Sequence, residues 1–225
     1  MFLLLPSAYL VNPVKYGVAS DTCASGAALC YRKNIDDLEA HEIEEFVQKR
    51  IKMGHESVIE HASFSAMILT NRGVTHELVR HRLASFTQES TRFTNYEKTD
   101  NGVSFIIPPK LREHVRAGEW TLQDVEDFRL RADVPEETMD WVYDMFMAEH
   151  SYMRALSRGW APEEARCYLN NATATRILMT ANMREWRHVF NLRFKGITGR
   201  PHPEIKEVIG RLYDAAVQRY PIFFE

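Results

Sequence analysis

The sequence predicts an α+β fold, in which a mostly antiparallel sheet is packed by several helices and joined by a helical subregion. Apolar residues recur at helical spacing over 135–156 and 203–216, whereas they alternate with polar residues over 63–70. A chain of 225 residues, 45% of them hydrophobic, suits one large domain or two small ones. Because no repeat, low-complexity tract or long linker interrupts it, we expect a single domain over residues 1–225.

The first half of the chain mixes strand and helix signals. Pro6 and Pro13 should break an N-terminal strand, Ser20 is a typical N-cap residue, and Gly54 is typical of a helix end. The predicted elements are strand segments within 1–16, a helix from Ser20 to Cys30, an amphipathic helix from Ile35 to Met53, a strand over 63–70 and a helix over 74–82.

The second half is richer in helix signals, although residues 110–135 are mixed and highly charged and their pattern is the least regular. Proline at 162 and 203 should open helices, and Pro221 should stop the last one. The predicted elements are a strand over 103–107, a helix starting near 120–124, a helix over 135–156, a short helix from 162, a strand over 173–180, a helix over 184–194 and a last helix from 202 through 216.

Composition excludes several classes of protein. The chain has 28 basic and 31 acidic residues, so it lacks the basic character of a general nucleic-acid binder. The apolar start, Met1–Pro6, has no basic flank and is far shorter than a signal peptide or a membrane span. The three cysteines, Cys23, Cys30 and Cys167, form no CxxC pair. We therefore expect a reduced, cytoplasmic setting without membrane, nucleic-acid or structural-metal partners.

A cationic cluster between residues 80 and 92 stands out on this acidic chain. It contains Arg80, His81, Arg82 and Arg92. Charge runs are usually solvated faces or surface ion pairs, which is one interpretation. Arginine also forms forked hydrogen bonds with phosphate oxygens, so the other interpretation is a pocket for a phosphorylated ligand. Spacing alone leaves both open.

Motifs for other chemistries are incomplete. The His55-Glu56 pair lacks the second histidine of a zincin, because Ile59 occupies that position. A metal-dependent hydrolase using His55, Glu60 and His61 therefore remains only as a minor alternative. No Walker loop or GxGxxG motif is present, so a nucleotide would be held by arginines and helix N-termini.

A covalent nucleophile is equally unsupported. Ser85 and Ser90 lie near His81, but neither belongs to a GxSxG motif. No acid is obviously placed in the sequence to orient His81.

At this point the chain resembles the flavin-dependent thymidylate synthases. Their signature is matched by Arg80-His81-Arg82 followed by Ser90 and then Arg92. The match continues, in order and spacing, at Gly54–His61, Thr75–Val79, Ala165-Arg166, Thr180–Arg184 and Asn191–Arg193. It covers roughly residues 15–107 and 160–220, and the combination is far more specific than a lone Arg-His-Arg.

The resemblance implies reductive methylation of dUMP to dTMP. In that reaction 5,10-methylenetetrahydrofolate donates the carbon, and NADPH or NADH supplies electrons through FAD. It further implies a homotetramer whose active sites are shared between subunits, and no nucleophilic cysteine. A nucleotide- or RNA-binding protein that uses the arginine cluster without redox chemistry remains the alternative.

The resemblance also implies site residues. The FAD set is Ser57, Arg80, His81, Arg82, Gln88, Asn182, Met183 (through its backbone), Arg184 and His188. The dUMP set is Glu77, Arg80, Gln88, Glu89, Ser90, Thr91, Arg92, Arg166 and Arg193. Catalytic roles are expected for Arg193, which would face the pyrimidine and favour its ionised N3, for His55 beside the flavin, and for Ser90.

Three positions depart from common family patterns. Phe93 stands where Tyr is frequent, Gln88 where some members have Glu, and His188 where some have Asn. Each residue retains a plausible role, so the departures affect single assignments and not the resemblance as a whole.

Overall fold

The computed structural model describes residues 1–225 and confirms the α+β class, with mostly antiparallel sheets and several helices. The strands are β1 (Phe2–Leu4), β2 (Ser7–Val11), β3 (Ser63–Asn71), β4 (Ala84–Gln88), β5 (Ser104–Ile106), β6 (Gly118–Glu119) and β7 (Ala174–Asn182). The helices are α1 (Tyr16–Tyr31), α2 (Ala40–Lys52), α3 (Arg72–Leu78), α4 (Leu122–Arg129), α5 (Glu136–Ser157), α6 (Pro162–Ala165), α7 (Met183–Phe190), α8 (Pro203–Arg219) and α9 (Pro221–Phe224). A 3₁₀ turn at Glu56–His61 and a π-helical turn at Asn191–Lys195 also bear on the site.

The chain divides into two compact units, each discontinuous in sequence. Unit 1 holds Met1–Ser7, Leu69–Leu78 and Gln88–Ile177, and unit 2 holds Ala8–Ile68, Val79–Thr87 and Leu178–Glu225. The single domain expected over residues 1–225 stays a prediction. None of the helices has both the length and the apolar character needed to cross a bilayer.

Unit 1 contains a three-stranded sheet of order β5-β1-β6. Strand β1 pairs in parallel with β5, with Leu3 opposite Phe105, and antiparallel with β6. Leu3 and Phe105 are fully buried and belong to a core shared with Val142 and Tyr152 of α5. The helical stripe predicted over 135–156 is therefore core, as its apolar spacing indicated.

Unit 2 is built around an aromatic stack. The rings of Phe64 and Trp186 are nearly parallel with centroids 4.7 Å apart, and Phe190 stacks on Trp186 at 5.8 Å. The indole Nε1 of Trp186 also donates to the Phe64 carbonyl at 3.1 Å. These contacts bury one face of α7 and fix its rotation, which determines where its polar residues point.

A second sheet has four strands in the order β2-β3-β7-β4. The alternation predicted over 63–70 is confirmed, because the even-numbered residues of β3 from Phe64 to Thr70 are buried. Strand β7 likewise confirms the strand predicted over 173–180.

Several predicted boundaries are wrong. Helix α1 begins at Tyr16, so Ser20 is no N-cap; it lies inside the helix, and its hydroxyl donates to the Tyr16 carbonyl at 2.8 Å. Helix α2 begins at Ala40 and not at Ile35, and the Glu42 side chain accepts from the Glu39 amide at 2.9 Å at its N-terminus.

Helix α3 begins at Arg72, two residues before the predicted start at 74, and ends at Leu78, four residues before the predicted end at 82. The side chain of Asn71 accepts a hydrogen bond from the Val74 amide at 2.8 Å, so it caps the first turn of α3. The early end leaves Arg80–Arg82 in the turn before β4.

Candidate active site

The cationic cluster is divided by exposure. Arg80 and Arg82 are exposed in the turn between α3 and β4, whereas His81 between them is buried and only 4% exposed. An imidazole buried in a turn needs partners for its two ring nitrogens. Both partners come from α7 and the π-helical turn that follows it.

The imidazole of His81 lies between a carboxyl group and a guanidinium group. Its Nδ1 is 3.1 Å from Oε1 of Glu185 on α7, and its Nε2 accepts from Nε of Arg193 at 3.1 Å. The ring of His188, one helical turn after Glu185, meets the His81 ring edge-on with centroids 5.5 Å apart. Three residues expected at the site, His81, His188 and Arg193, are therefore brought together in unit 2.

Electrostatics keep this imidazole neutral. Burial, followed by the charge of Arg193 and the proximity of His188, lowers the pKa of His81 to about 4. Burial also raises the pKa of Glu185. At neutral pH the contact between them is therefore a hydrogen bond made by a neutral ring and not an ion pair.

The start of α7 carries three further members of the FAD set, Asn182, Met183 and Arg184. The side chain of Asn182 caps the helix by accepting from the Glu185 amide at 2.8 Å, and the Met183 amide donates to the Ala62 carbonyl at 2.9 Å. Arg184 is half-exposed and donates to Glu60 at 2.5 Å. The second arginine, Arg187, donates to Glu56 at 3.1 Å.

These groups line a cavity of about 470 Å³ within unit 2. Asn182, Arg184 and His188 of the FAD set are among its walls. FAD presents acceptors in its phosphates and ring carbonyls, and donors in its ribityl hydroxyls, adenine amine and N3–H. Because the lining mixes guanidinium, imidazole and amide groups with the Glu56 and Glu60 carboxylates, it fits such a mixed ligand.

Two members of the dUMP set are brought together in unit 1. Nε of Arg92 contacts Oε2 of Glu163 at 2.7 Å, and Nε of Arg166 donates to the backbone carbonyl of the same residue at 3.1 Å. Arg92 and Arg166 are both exposed. Since these contacts use Nε, the terminal nitrogens remain the groups that form forks with phosphate oxygens.

A second hydrogen-bonded group in unit 1 surrounds the end of β4. The Gln88 amide donates to the hydroxyls of Thr75 at 3.0 Å and Thr175 at 3.2 Å. Glu89 accepts from the Tyr96 hydroxyl at 2.8 Å, and burial followed by the Glu89 charge raises the pKa of Tyr96. Gln88 and Glu89 are therefore held in place by neighbours that include no other member of the dUMP set.

The remaining expected residues are less constrained. Ser90 accepts from the Arg92 amide at 3.2 Å, Thr91 is buried and Glu77 is half-buried. His55 is exposed, with Nδ1 3.5 Å from the Tyr31 hydroxyl, and Ser57 is exposed. Neither His55 nor Ser57 lines the cavity of unit 2. The assignment of these residues to a site stays a prediction.

The structure gives several acidic residues contacts that the sequence did not indicate. Glu185 is the acid beside His81, which corrects the expectation that no acid is placed to orient that ring. Glu56 pairs with Arg187 of α7, and Glu60 pairs with Arg184 of the same helix. Glu163 joins two arginines of the dUMP set. The Asn182–Glu185 capping pattern is visible in the sequence, but the burial of Glu185 depends on the aromatic stack of unit 2.

The metal-hydrolase alternative finds no support in the geometry. Glu60 is engaged with Arg184, and His55, Glu60 and His61 do not form a group of nearby ligand atoms. The residues that do approach one another are His81, Glu185 and His188.

Comparison with known proteins gives a consistent result. The family model described as thymidylate synthase complementing protein matches residues 14–222. The flavin-dependent thymidylate synthase of Pyrococcus furiosus is 30% identical over 188 residues, which is 83% of this chain and 68% of the relative. The enzyme of the same name from Clostridium tetani is 28% identical over 91% of this chain and 82% of the relative.

Coverage and fold agree with that family. The alignment with the Geobacter sulfurreducens flavin-dependent thymidylate synthase is 34% identical and covers 76% of this chain but 66% of the relative. The chain thus spans about two thirds of the length of several relatives. A crystal structure of the UMP/dUMP methylase PolB from Streptomyces cacaoi, bound with 5-Br dUMP, has the same fold, with a TM-score of 0.75 at 21% identity over 100% of this chain and 95% of that one. This chain belongs to the family of flavin-dependent thymidylate synthases.

Proposed function

We propose that this protein is an FAD-dependent thymidylate synthase, which converts dUMP to dTMP. The carbon comes from 5,10-methylenetetrahydrofolate, and the electrons come from NADPH or NADH through FAD. One observation carries the proposal: the family model spans residues 14–222, and all members of the FAD set and the dUMP set fall within that span. The nucleotide- or RNA-binding alternative finds no support in the comparisons.

The roles of the cofactor and of the protein follow from their chemistry. FAD, when bound, would supply the redox chemistry that links the nicotinamide cofactor to the pyrimidine. This chain binds and orients the reactants. In unit 2, the cavity lined by Asn182, Arg184 and His188 is the proposed seat of a part of FAD.

The phosphate of dUMP is the natural partner of the arginine pair in unit 1. A nucleotide monophosphate is close to dianionic at neutral pH, and Arg92 and Arg166 converge on Glu163. Forked hydrogen bonds from their terminal nitrogens would fix both the charge and the orientation of the phosphate. Ser90, adjacent in the loop, is proposed to contact the same nucleotide.

Arg193 has a different role in the proposal. A guanidinium beside the uracil ring stabilises negative charge that develops at N3 and O2, which lowers the barrier for attack by the pyrimidine carbon. The guanidinium must be oriented before the reaction, and the hydrogen bond from Nε of Arg193 to His81 holds it in place. His55 is proposed to assist the transfer of the one-carbon unit.

The proposal extends to assembly and setting. We expect a homotetramer with active sites shared between subunits, acting in the cytoplasm on dUMP and folate. Reduced thiols fit that setting, because Cys30 and Cys167 are exposed and none of the three cysteines is bridged.

The colour of the purified protein tests the flavin part of the proposal. A protein that retains FAD is yellow and absorbs at about 450 nm, as oxidised flavins do. Adding dUMP should change that spectrum if both ligands share a site. A colourless protein that added FAD does not reconstitute would contradict the proposal, and loss of activity to chelators would point to a metal enzyme.

A further inference from the structure

Glu185 has no assigned role in the proposed function, yet it is one of the few buried charged residues of the chain. It is 6% exposed on α7 and contacts His81, which in turn contacts Arg193. Burying a carboxylate costs free energy unless its hydrogen bonds compensate, so the contact requires an explanation. The order of the three side chains, Glu185 to His81 to Arg193, supplies one.

The geometry fixes which nitrogen of His81 carries the proton. A guanidinium has only donors, so Nε of Arg193 must donate and Nε2 of His81 must accept. A neutral imidazole with an accepting Nε2 carries its proton on Nδ1. That proton then needs an acceptor, and the Glu185 carboxylate lies 3.1 Å away. Hydrogen-bond geometry therefore assigns the Nδ1–H tautomer.

We propose that Glu185 is a positioning residue, which holds His81 in the Nδ1–H tautomer so that Nε2 can accept from Arg193 and aim its guanidinium at the pyrimidine. The inference rests on the proposed function, because Arg193 acts on dUMP only there. It assigns Glu185 no contact with dUMP, although Glu185 also lines the unit 2 cavity that is proposed for FAD. Its effect reaches the nucleotide through two hydrogen bonds.

A metal site at the same place is the competing interpretation. Ligand atoms of His81, Glu185 and His188 lie within 4.8 Å of one another. However, both ring nitrogens of His81 are already used, and the positive charge of Arg193 lies 3.1 Å from one of them. A cation would have to displace one of these partners and sit beside the guanidinium, which Coulomb repulsion opposes.

Glu185→Gln tests the proposal with little change in volume. Glutamine can accept from Nδ1–H through its carbonyl oxygen or donate to Nδ1 through its amide nitrogen, so it no longer holds the proton on Nδ1 as a carboxylate does; where the amide nitrogen donates, the proton lies on Nε2 and faces the N–H of Arg193. We expect dUMP to bind the FAD-loaded variant about tenfold more weakly, since hydrogen bonds to charged groups are typically of that strength. Calorimetric titration with dUMP measures the affinity, and absorbance measures retained FAD, which should fall by less than the dUMP affinity although Glu185 lines the cavity proposed for FAD.

Two further variants serve as controls. Glu185→Asp keeps a carboxylate acceptor and should restore most of the affinity, which a purely space-filling role would not explain. Glu137→Gln makes the same change at an exposed carboxylate on α5, which lies 3.7 Å from Lys110 in unit 1; it should bind dUMP as the unmodified protein does. The ¹⁵N spectrum of labelled histidine reports the His81 tautomer directly, with the signal assigned by its loss in His81→Asn.

A double-mutant cycle shows whether Glu185 acts through Arg193. In an Arg193→Ala background, Glu185→Gln should change dUMP affinity less than twofold, because the two effects share one pathway. Unchanged dUMP affinity in Glu185→Gln, a proton on Nε2 in the unmodified protein, or equal losses of FAD and dUMP would overturn the inference. If the unmodified protein binds FAD but no dUMP, the proposed function itself has failed.

Discussion

At the scale of the residue, a buried neutral histidine makes stability depend on pH. The pKa of His81 is lowered to about 4 in the folded chain, against about 6.5 for an unperturbed histidine. The unfolded chain therefore takes up the proton first as the pH falls. The contribution of His81 to the free energy of unfolding is complete above about pH 6.5 and lost by about pH 4, an effect of about 3 kcal/mol.

Urea unfolding at pH 7 and at pH 4.5 measures this contribution. The unmodified protein should lose more stability over that interval than His81→Asn, in which the titrating group is absent. The difference between the two proteins isolates His81 from the other titrating groups. Equal losses would mean that His81 is not held neutral in the folded state.

Arg193 should separate nucleotide binding from flavin binding. In Arg193→Ala the guanidinium beside the pyrimidine is lost, so dUMP affinity and turnover should both fall, by at least about tenfold. FAD should be retained, because the cavity lined by Asn182 and Arg184 is unaltered. Absorbance of the purified variant and titration with dUMP measure both. Flavin loss would show that Arg193 belongs to the flavin site.

Arg166 should contribute to binding of dUMP through its phosphate and should not affect binding of deoxyuridine. Arg166→Ala removes a guanidinium that Glu163 holds beside Arg92, so dUMP should bind about tenfold more weakly. Deoxyuridine has no phosphate, and its weaker binding should not change. Arg158→Ala, an exposed arginine at the end of α5, is the matched control. A similar loss with deoxyuridine would place Arg166 at the base or sugar instead.

At the scale of the element, Arg193 lies on an unusual turn. Helix α7 continues into the π-helical turn Asn191–Lys195, and such turns are rare and frequently found at functional sites. Gly196 ends it with a positive φ of 72°, and a Cβ there would lie 2.8 Å from Pro201 Cδ. The predicted helix over 184–194 is thus confirmed in extent, but periodicity gives no signal for the change from α to π.

The packing of this turn against α8 gives a test by glycine substitution. A Cβ at Gly210 would lie 2.9 Å from a ring carbon of Phe194, whose ring is also in contact with Tyr213 at 5.1 Å. Gly210→Ala should lower the free energy of unfolding by about 1–2 kcal/mol, since overpacking exceeds the gain in helix propensity. Gly17→Ala, with nothing within 4 Å on the exposed start of α1, should be neutral or stabilising by up to about 1 kcal/mol. Thermal or urea unfolding measures both, and equal effects would contradict the packing argument.

Sequence patterns predicted the elements better than the site. The helix over 135–156 and the strands over 63–70 and 173–180 have strong periodicity, and burial follows it directly. The start of α1 was missed because serine can hydrogen-bond to the preceding turn as readily as cap a helix. Glu185 was missed because its meaning depends on a histidine more than one hundred residues away.

At the scale of the whole molecule, most residues of the FAD set and most residues of the dUMP set belong to different units. Apart from Gln88, the FAD set belongs to unit 2; apart from Arg80 and Arg193, the dUMP set belongs to unit 1. The arginine cluster therefore contributes to both, since Arg80–Arg82 lie in unit 2 and Gln88–Arg92 in unit 1. In the proposed assignment, this motif, continuous in sequence, would contact two ligands, and its charges could therefore not be assigned from spacing alone.

Release of tritium from dUMP labelled at C5 tests the central proposal most directly. Methylation replaces the hydrogen at that carbon, so tritium should be released to water when the FAD-loaded protein receives 5,10-methylenetetrahydrofolate and NADPH, with an equal amount of dTMP formed. Arg193→Ala should release little tritium under the same conditions. Release without dTMP, or no release from a protein that demonstrably holds both FAD and dUMP, would contradict the proposed synthase activity.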